Sequence, residues 1–342
     1  MSIGRSVWII IPIWCFAPVG GWAQQDRHIT LDVVVSDKSG KAVAGLQEQD
    51  FTLLDNKQPQ RILSFQAVGG ASAAADPPVE TLLVIDEVNL PFTKMADERE
   101  QIEKFLERDG GALAHPMSVA FLTDSGATMG NKSSRDGKAL AEFVNKQFSG
   151  LRTVGKAQGV YGAEERLRIS LRGMQDLVNY EGSRAGRKLV VWVSPGWALL
   201  AGPQVQLTPK QEAGIFNSIV GISDGLRRAR MTIYAVDPLG VMNALQAQRY
   251  REFLKGVKVA RQAQMAHLGL QVLAEQSGGR VLNTSNDLAA EIAECVADAN
   301  GFYVLSFDGI EGDGPNEYHG LEVRIDKPGL RARTRSGYYA QP

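Results

Sequence analysis

Cysteine is almost missing from this chain, with only Cys15 and Cys295 in 342 residues. That count excludes a disulfide-stapled scaffold. Histidine is scarce too: His28, His115, His267 and His319 are the full set, and no pair has metal-ligand spacing. No charge of one sign dominates. The 37 basic and 38 acidic residues give a net charge of -1, which offers nothing to the phosphate backbone of nucleic acid. Phosphate-cradling loops are lacking as well. Gly40-Lys41, Gly137-Lys138 and Gly155-Lys156 are each followed by Ala and have no upstream Gly of a P-loop. The apolar stretch Val7 to Ala17 is short, contains Pro12 and is followed by Pro18, which argues against a stable membrane span and the alternative of an uncleaved anchor.

That stretch has another reading. Arg5 supplies a positive start, Val7 to Ala17 an apolar centre, and Gly21-Trp22-Ala23 a small-residue cleavage pattern. Residues 1–23 are therefore expected to be a signal peptide cut near Ala23 or Gln24. The mature chain would be exported, periplasmic or secreted. Three of the five Trp leave with the leader, and Cys295 is left alone. Its helical spacing with Leu288 and Ile292 points to a buried core thiol, with a reactive or intermolecular thiol as the alternative.

Hydrophobic residues make up 44% of the chain, enough for one large domain or two ordinary ones. Residues 24–68 read as β-structure. Ile29, Leu31, Val33 and Val35 alternate with more polar neighbours, and Phe51 to Leu54 faces Arg61 to Phe65 across a hairpin turn near Asp55-Asn56-Lys57. So few strands need a partner to bury their apolar face. Residues 66–79, rich in Gly, Ala and Pro, read as a linker.

Residues 80–298 alternate strands with amphipathic helices. The strands are Thr81–Asp86, Ser118–Thr123, Lys188–Ser194, Met231–Val236 and Arg280–Leu282. The helical faces carry Leu140, Phe143, Val144 and Phe148, then Leu167, Leu171, Met174 and Val178, then Ile215, Ile219, Ile222 and Leu226, and last Leu288, Ile292 and Val296. This alternation predicts an α/β domain with a doubly wound, mainly parallel sheet. Residues 301–342 return to strands at Phe302–Phe307, Leu321–Ile325 and Leu330–Gly337. The two terminal β-segments are expected to form one β-sandwich module, with the α/β domain inserted between them.

Within the α/β part, Thr81 to Ile85 is a continuous apolar run of the kind buried on both faces, and it ends on a carboxylate, Asp86. Open α/β sheets place their functional crevice beyond the carboxyl ends of the strands. Asp86 would stand there. Its alternative role is structural, with Asp86 and Asn89 capping the turn and accepting hydrogen bonds from loop amides.

Several stretches resemble the secreted von Willebrand factor A (VWA)-related proteins typical of acidobacteria. They are VVVSDKSGKAVAGLQEQDF from Val33, LLVIDEVNLPF from Leu82, RKLVVWVSPG from Arg187, TIYAVDPLG from Thr232, LAEQSGGR from Leu273 and the closing Gly337-Tyr338-Tyr339. The resemblance covers nearly all of the mature chain and rests on the order and spacing of these pieces. It implies a VWA-like fold, a role in protein–protein interaction, and a metal-ion-dependent adhesion site built on Asp-x-Ser-x-Ser. Asp86 matches the first Asp of that motif, but Val88 and Leu90 stand where the two Ser would be, and neither can ligate. The later Asp falls at Ser194-Pro195-Gly196. The candidate metal set reduces to Asp86, Asn89 and Ser194, with Asp124, Ser125 and Thr128 able to add oxygens if their loop converges on it. A Mg²⁺ or Ca²⁺ held by so few oxygens would be weakly bound.

The enzyme alternative is a serine hydrolase using Ser194, which follows a strand. Trp192 replaces the first Gly of the nucleophile elbow and should crowd its turn. The expectation is therefore a non-catalytic module that contacts a protein partner through a crevice around Asp86, Asn89, Asp124 and Ser194. The alternatives are a cation-dependent adhesin and the hydrolase.

Overall fold

The computed structural model describes residues 27–69, 79–130, 132–147, 159–201, 205–240 and 246–342. The expected signal peptide, with Cys15, lies outside the described residues.

In chain order the strands are β1 (His28–Ser36), β2 (Phe51–Asp55), β3 (Gln58–Gln60), β4 (Ser64–Gly69), β5 (Glu80–Asp86), β6 (Ala112–Thr123), β7 (Gly126–Met129), β8 (Ser134–Asp136), β9 (Lys188–Val193), β10 (Met231–Val236), β11 (Val281–Leu282), β12 (Gly301–Asp308), β13 (Glu317–Ile325), β14 (Arg331–Arg333) and β15 (Gly337–Ala340). The helices are α1 (Met95–Leu106), α2 (Gly137–Gln147), α3 (Gly159–Gly182), α4 (Pro209–Arg228), α5 (Leu270–Gln276) and α6 (Leu288–Ala297).

The central sheet has the order β11-β10-β9-β5-β6-β7. Its strands are parallel except for β7 at one edge and β8, which pairs with β6. The alternation of side chains decides which layer each residue joins. Leu82, Val84, Val190, Trp192, Ile233 and Ala235 pack with Leu167 and Met174 of α3, Ile215 and Ile219 of α4, and Leu273 of α5. Leu83, Ile85, Leu189, Val191, Tyr234 and Val236 pack on the other face with Ile102 and Phe105 of α1, Leu140 and Val144 of α2, and Ile292 and Cys295 of α6. The sheet is thus doubly wound. From β5 the chain moves to β6 on one side, then returns to β9 on the other, so the order reverses between β5 and β9.

The terminal segments form two further four-stranded sheets, β14-β1-β12-β4 and β15-β13-β2-β3. Each draws strands from both ends of the chain: β1 pairs antiparallel with β12, and β2 with β13. Their inner faces share one core, including Leu31, Val33, Phe51, Leu53, Tyr303, Phe307, Leu321 and Tyr338. Tyr303 fastens the two ends through its hydroxyl, which donates to Val43 O at 2.9 Å and accepts from Leu46 N at 3.1 Å.

The structure corrects several local expectations. The hairpin partner of β2 is Gln58–Gln60, turning at Asn56 and Lys57, both in the left-handed region (φ 47° and 69°). Residues 64–69 cross instead to the opposite sheet beside β12, because Phe65 packs there against Phe51 and Tyr303. The expected linker therefore begins as strand, and residues 70–78 lie outside the described residues. The expected strand Leu330–Gly337 divides into β14 and β15, which belong to different sheets. The crossing runs over Gly278, where a Cβ would lie 2.7 Å from Thr334 C. His115, expected in a loop, lies within β6, and its Nε2 is 2.8 Å from Asn300 Oδ1. His267, expected in a helical stretch, lies in a 3-10 turn, Met265–Leu268.

Candidate functional site

Asp86 ends β5 and Ser194 follows β9, so both stand at the point where strand order reverses, beyond the carboxyl ends of the strands. Both are even-numbered along strands that alternate in register, so both face the α3 layer. From α3 comes Ser170, completely buried.

Asp86 is itself 0% exposed, and every hydrogen bond it makes is an accepted one. Its Oδ1 takes the backbone amides of Val88 and Asn89, each at 3.0 Å. Its Oδ2 takes Asn89 Nδ2 at 2.8 Å and the Ser194 hydroxyl at 2.8 Å, with Trp192 Nε1 farther off at 3.4 Å. Asn89 Nδ2 also donates to Ser170 Oγ at 2.9 Å, and the Ser170 hydroxyl donates on to Arg166 O at 2.8 Å. Gly196 N reaches Ser194 Oγ at 3.2 Å. The carboxylate is thereby saturated by neutral donors, the arrangement that keeps a buried charge tolerable without a counter-ion.

Three of the expected residues, Asp86, Asn89 and Ser194, are brought together. Asp124 is not among them. It stands exposed in the turn between β6 and β7 with Ser125, and Thr128 is exposed on β7. The β6–β7 hairpin closes on itself, Thr123 pairing with Gly126. Sequence reasoning missed Ser170 and the direction of Trp192. The signal for Ser170 was present: a small polar residue on the apolar face of α3, between Leu167 and Leu171. Trp192 does not crowd an elbow. It is fully buried, lying edge-on against Trp197 with ring centroids 5.2 Å apart.

The donor set does not fit a divalent cation. Mg²⁺ and Ca²⁺ need several oxygens turned inward, whereas Asn89 presents its amide nitrogen to Asp86 and the Ser194 proton is aimed at the carboxylate. Among the described residues, no group of three or more His, Cys, Asp or Glu side chains could hold a metal. The arrangement does not suit nucleophilic catalysis at Ser194 either. Ser194 is 2% exposed, and its hydroxyl donates its proton to Asp86. The four histidines are engaged elsewhere, His28 with Asp308, His115 with Asn300, His267 with Gln264 and His319 with Asp55.

No protein-family model and no curated protein matches this chain. Among solved structures it is similar to the VWA domain of SpRpn10, with 13% identity over 62% of this chain and 93% of that one, TM-score 0.31. It is also similar to the N-terminal domain of TFIIH p34, with 10% identity over 64% of this chain and 97% of that one, TM-score 0.30. Among the described residues no helix is long and apolar enough to cross a membrane.

Proposed function

We propose that this chain is an exported protein–protein interaction or scaffolding module, without catalysis, whose contact surface is the carboxyl-end rim of the central sheet. The observation that carries this reading is the contrast between Asp86 and Phe92. The carboxylate at the strand end is consumed by its own loop. Six residues on, in the 3-10 turn before α1, Phe92 is 71% exposed. Tyr161, in the first turn of α3, is 64% exposed on the helix that also carries Ser170. Large exposed aromatics at a rim are the side chains that anchor protein partners. The saturated Asp86 weighs against a cation-dependent adhesin, and the buried Ser194 weighs against a hydrolase.

The test is site-specific photo-crosslinking in the source cells, with the photoreactive residue placed at Phe92 and, for comparison, at Leu63, an exposed apolar residue of the sandwich. A single saturable adduct at position 92, lost when Tyr161→Asp is added, is the expected result. Equal labelling at both positions would sink the rim as the contact surface. N-terminal sequencing of the chain recovered from the cells tests export, with a start near Gln24 expected.

A further inference from the structure

A cavity of about 550 Å³ opens between the sandwich and the segment that joins β10 to α5. Alternation along β13 sends Leu321 and Val323 into the sandwich core and Tyr318, Gly320 and Glu322 to the other face, where they line this cavity. Aromatic contacts fix the wall that faces them. Tyr339, paired with Tyr318 across β15 and β13, donates its hydroxyl to Val257 O at 3.1 Å. The backbone at Gly256 lies on the face of the Tyr318 ring, where a Cβ would come within 2.0 Å of Cζ. Lys258 follows, and its amide donates to Gln262 Oε1 at 3.3 Å. The third wall is the turn from β2 to β3, Asn56 and Lys57. Asn56 N donates to Gly320 O at 2.8 Å, and Asn56 Oδ1 accepts from Gly320 N at 3.0 Å. The floor between these walls is bare, since a Cβ on Gly320 would meet nothing nearer than 3.8 Å. A glycine inside a strand gives up packing, and it marks a place where another group comes close.

The charges around the cavity divide by what already holds them. Glu322 is gripped by Arg324, with Nε at 2.7 Å and Nη2 at 3.0 Å. Glu317 Oε2 accepts from Asp313 N at 2.7 Å, and its Oε1 is 3.8 Å from His319 Nε2. Among the described residues no ion pair or hydrogen bond closes on the ammonium of Lys57 or of Lys258, and both residues are exposed. Asn56 spends its oxygen on Gly320, which leaves Nδ2 as a donor. The unengaged polar groups are therefore two cations and an amide N–H, all donors, and they call for an anion. The volume is that of a site for an organic molecule, far more than one inorganic ion fills. The two glutamates on the walls favour a singly charged acid group over a phosphate dianion.

We propose that this cavity binds a carboxylate-bearing organic ligand, its acid group held between the Lys57 and Lys258 ammonium groups and the Asn56 amide, with its carbon chain over Gly320. The site belongs to the sandwich and does not depend on the rim of the central sheet.

The experiment is calorimetric titration of the full chain with sodium succinate, with an N-acetylated, amidated tetraglutamate peptide and with sodium phosphate, each against sodium chloride at matched ionic strength. Saturable one-to-one heat with a carboxylate ligand, and much weaker binding of phosphate, are expected. Lys57→Gln and Lys258→Gln, both at exposed positions, should each weaken binding by roughly tenfold. Gly320→Val fills the floor without touching a charge. It should abolish binding while the thermal unfolding midpoint stays level or rises. No saturable heat with either carboxylate ligand, or phosphate bound as tightly, overturns the proposal. So does affinity unchanged in the two lysine variants, which decide the matter if Gly320→Val does not fold. The two carboxylate arms separate the sources: succinate binding means a free organic acid, and binding of the peptide alone means the acidic side chains of a polypeptide.

Discussion

Replacing Asp86 by alanine asks most directly what the carboxylate at the end of β5 does. Four donors lie 2.8 to 3.0 Å from it: the amides of Val88 and Asn89, Asn89 Nδ2 and the Ser194 hydroxyl. Two of these have somewhere else to go. The hydroxyl can rotate, and Asn89 Nδ2 keeps Ser170 Oγ. The two backbone amides have no such freedom, and each buried unpaired donor costs about 1–3 kcal/mol. Asp86→Ala should therefore destabilise the protein by about 4 kcal/mol, a fall in unfolding midpoint of roughly 10 °C for a domain of this size. Asp86→Asn keeps one acceptor oxygen but turns an amide group toward the remaining donors, so about half of that loss is expected. The assay is thermal and urea unfolding of both variants, with Ser194→Ala and the double variant completing a cycle. A coupling of about 1 kcal/mol between Asp86 and Ser194 is expected from a shared hydrogen bond. Each measurement is repeated in EDTA and in Mg²⁺. An Asp86→Ala protein within about 0.5 kcal/mol of the parent would refute the account. So would a parent that falls to the mutant's stability in EDTA, because the carboxylate would then owe its worth to a cation.

Three further outcomes follow from the same reading. Burial raises the Glu291 carboxyl from 4.5 to about 7; the Ser285 and Thr284 amides oppose that shift, and Asp237 and Glu294 add to it. A raised carboxyl pKa contributes stability that is fully present below about 4.5 and is lost as pH rises to about 7. Urea midpoints of the parent and Glu291→Gln should therefore diverge across that window, the variant gaining about 2–3 kcal/mol relative to the parent, and parallel curves would show that the proton is not held. Gly279→Ala should remove more than about 3 kcal/mol, since a Cβ there would lie 1.7 Å from Ile233 O; Gly221→Ala in α4, where nothing lies within 4 Å, should add about 0.5–1 kcal/mol. Both differences are read from urea midpoints. Tyr303→Phe should cost about 1–2 kcal/mol by freeing Leu46 N and Val43 O, and hydrogen exchange at Leu46 should rise with it.

The α/β frame was legible because its strands are covered on both sides. Such strands must be apolar throughout, so Leu82 to Ile85 and Leu189 to Val193 announce themselves, and the helices between them show a single apolar face. The alternation in β1 and β13 was equally plain, since one side of each meets the sandwich core. What stayed hidden were strands that take their conformation from a neighbour. Gln66-Ala67 in β4 and Arg331-Ala332-Arg333 in β14 carry little alternation of their own, and each is held by pairing to β12 or β1. No local signal separates such a segment from a loop.

The crevice was half legible for a related reason. Chain position places Asp86 and Ser194 at the ends of neighbouring strands, and the pattern of the sheet settles that without any side-chain detail. Whether the oxygens there are free or consumed depends on what faces them from α3, and on which way an amide and a hydroxyl turn. Val88 and Leu90 offer no oxygen ligands, and both residues are buried at 1% and 0% exposure. Once they pack inward, the amides of Val88 and Asn89 are drawn over Asp86 Oδ1, and the loop itself supplies the donors that stabilise the charge. Ser194 contributes a proton to the carboxylate rather than a second negative charge. Val88 and Leu90 supply apolar burial and Ser194 a hydrogen-bond donor, and none of the three offers a free oxygen to a cation. These contacts fix the course of the loop that leads from β5 toward Phe92. Placing serine at positions 88 and 90 alone should therefore not create a metal site, because Ser194 would still occupy Asp86 Oδ2. Titration of the Val88→Ser, Leu90→Ser double variant with Mn²⁺, followed by electron paramagnetic resonance, should show no bound ion until Ser194→Asp is added; tight binding by the double variant would mean that the hydrogen bonds around Asp86 yield to a cation more readily than their geometry implies.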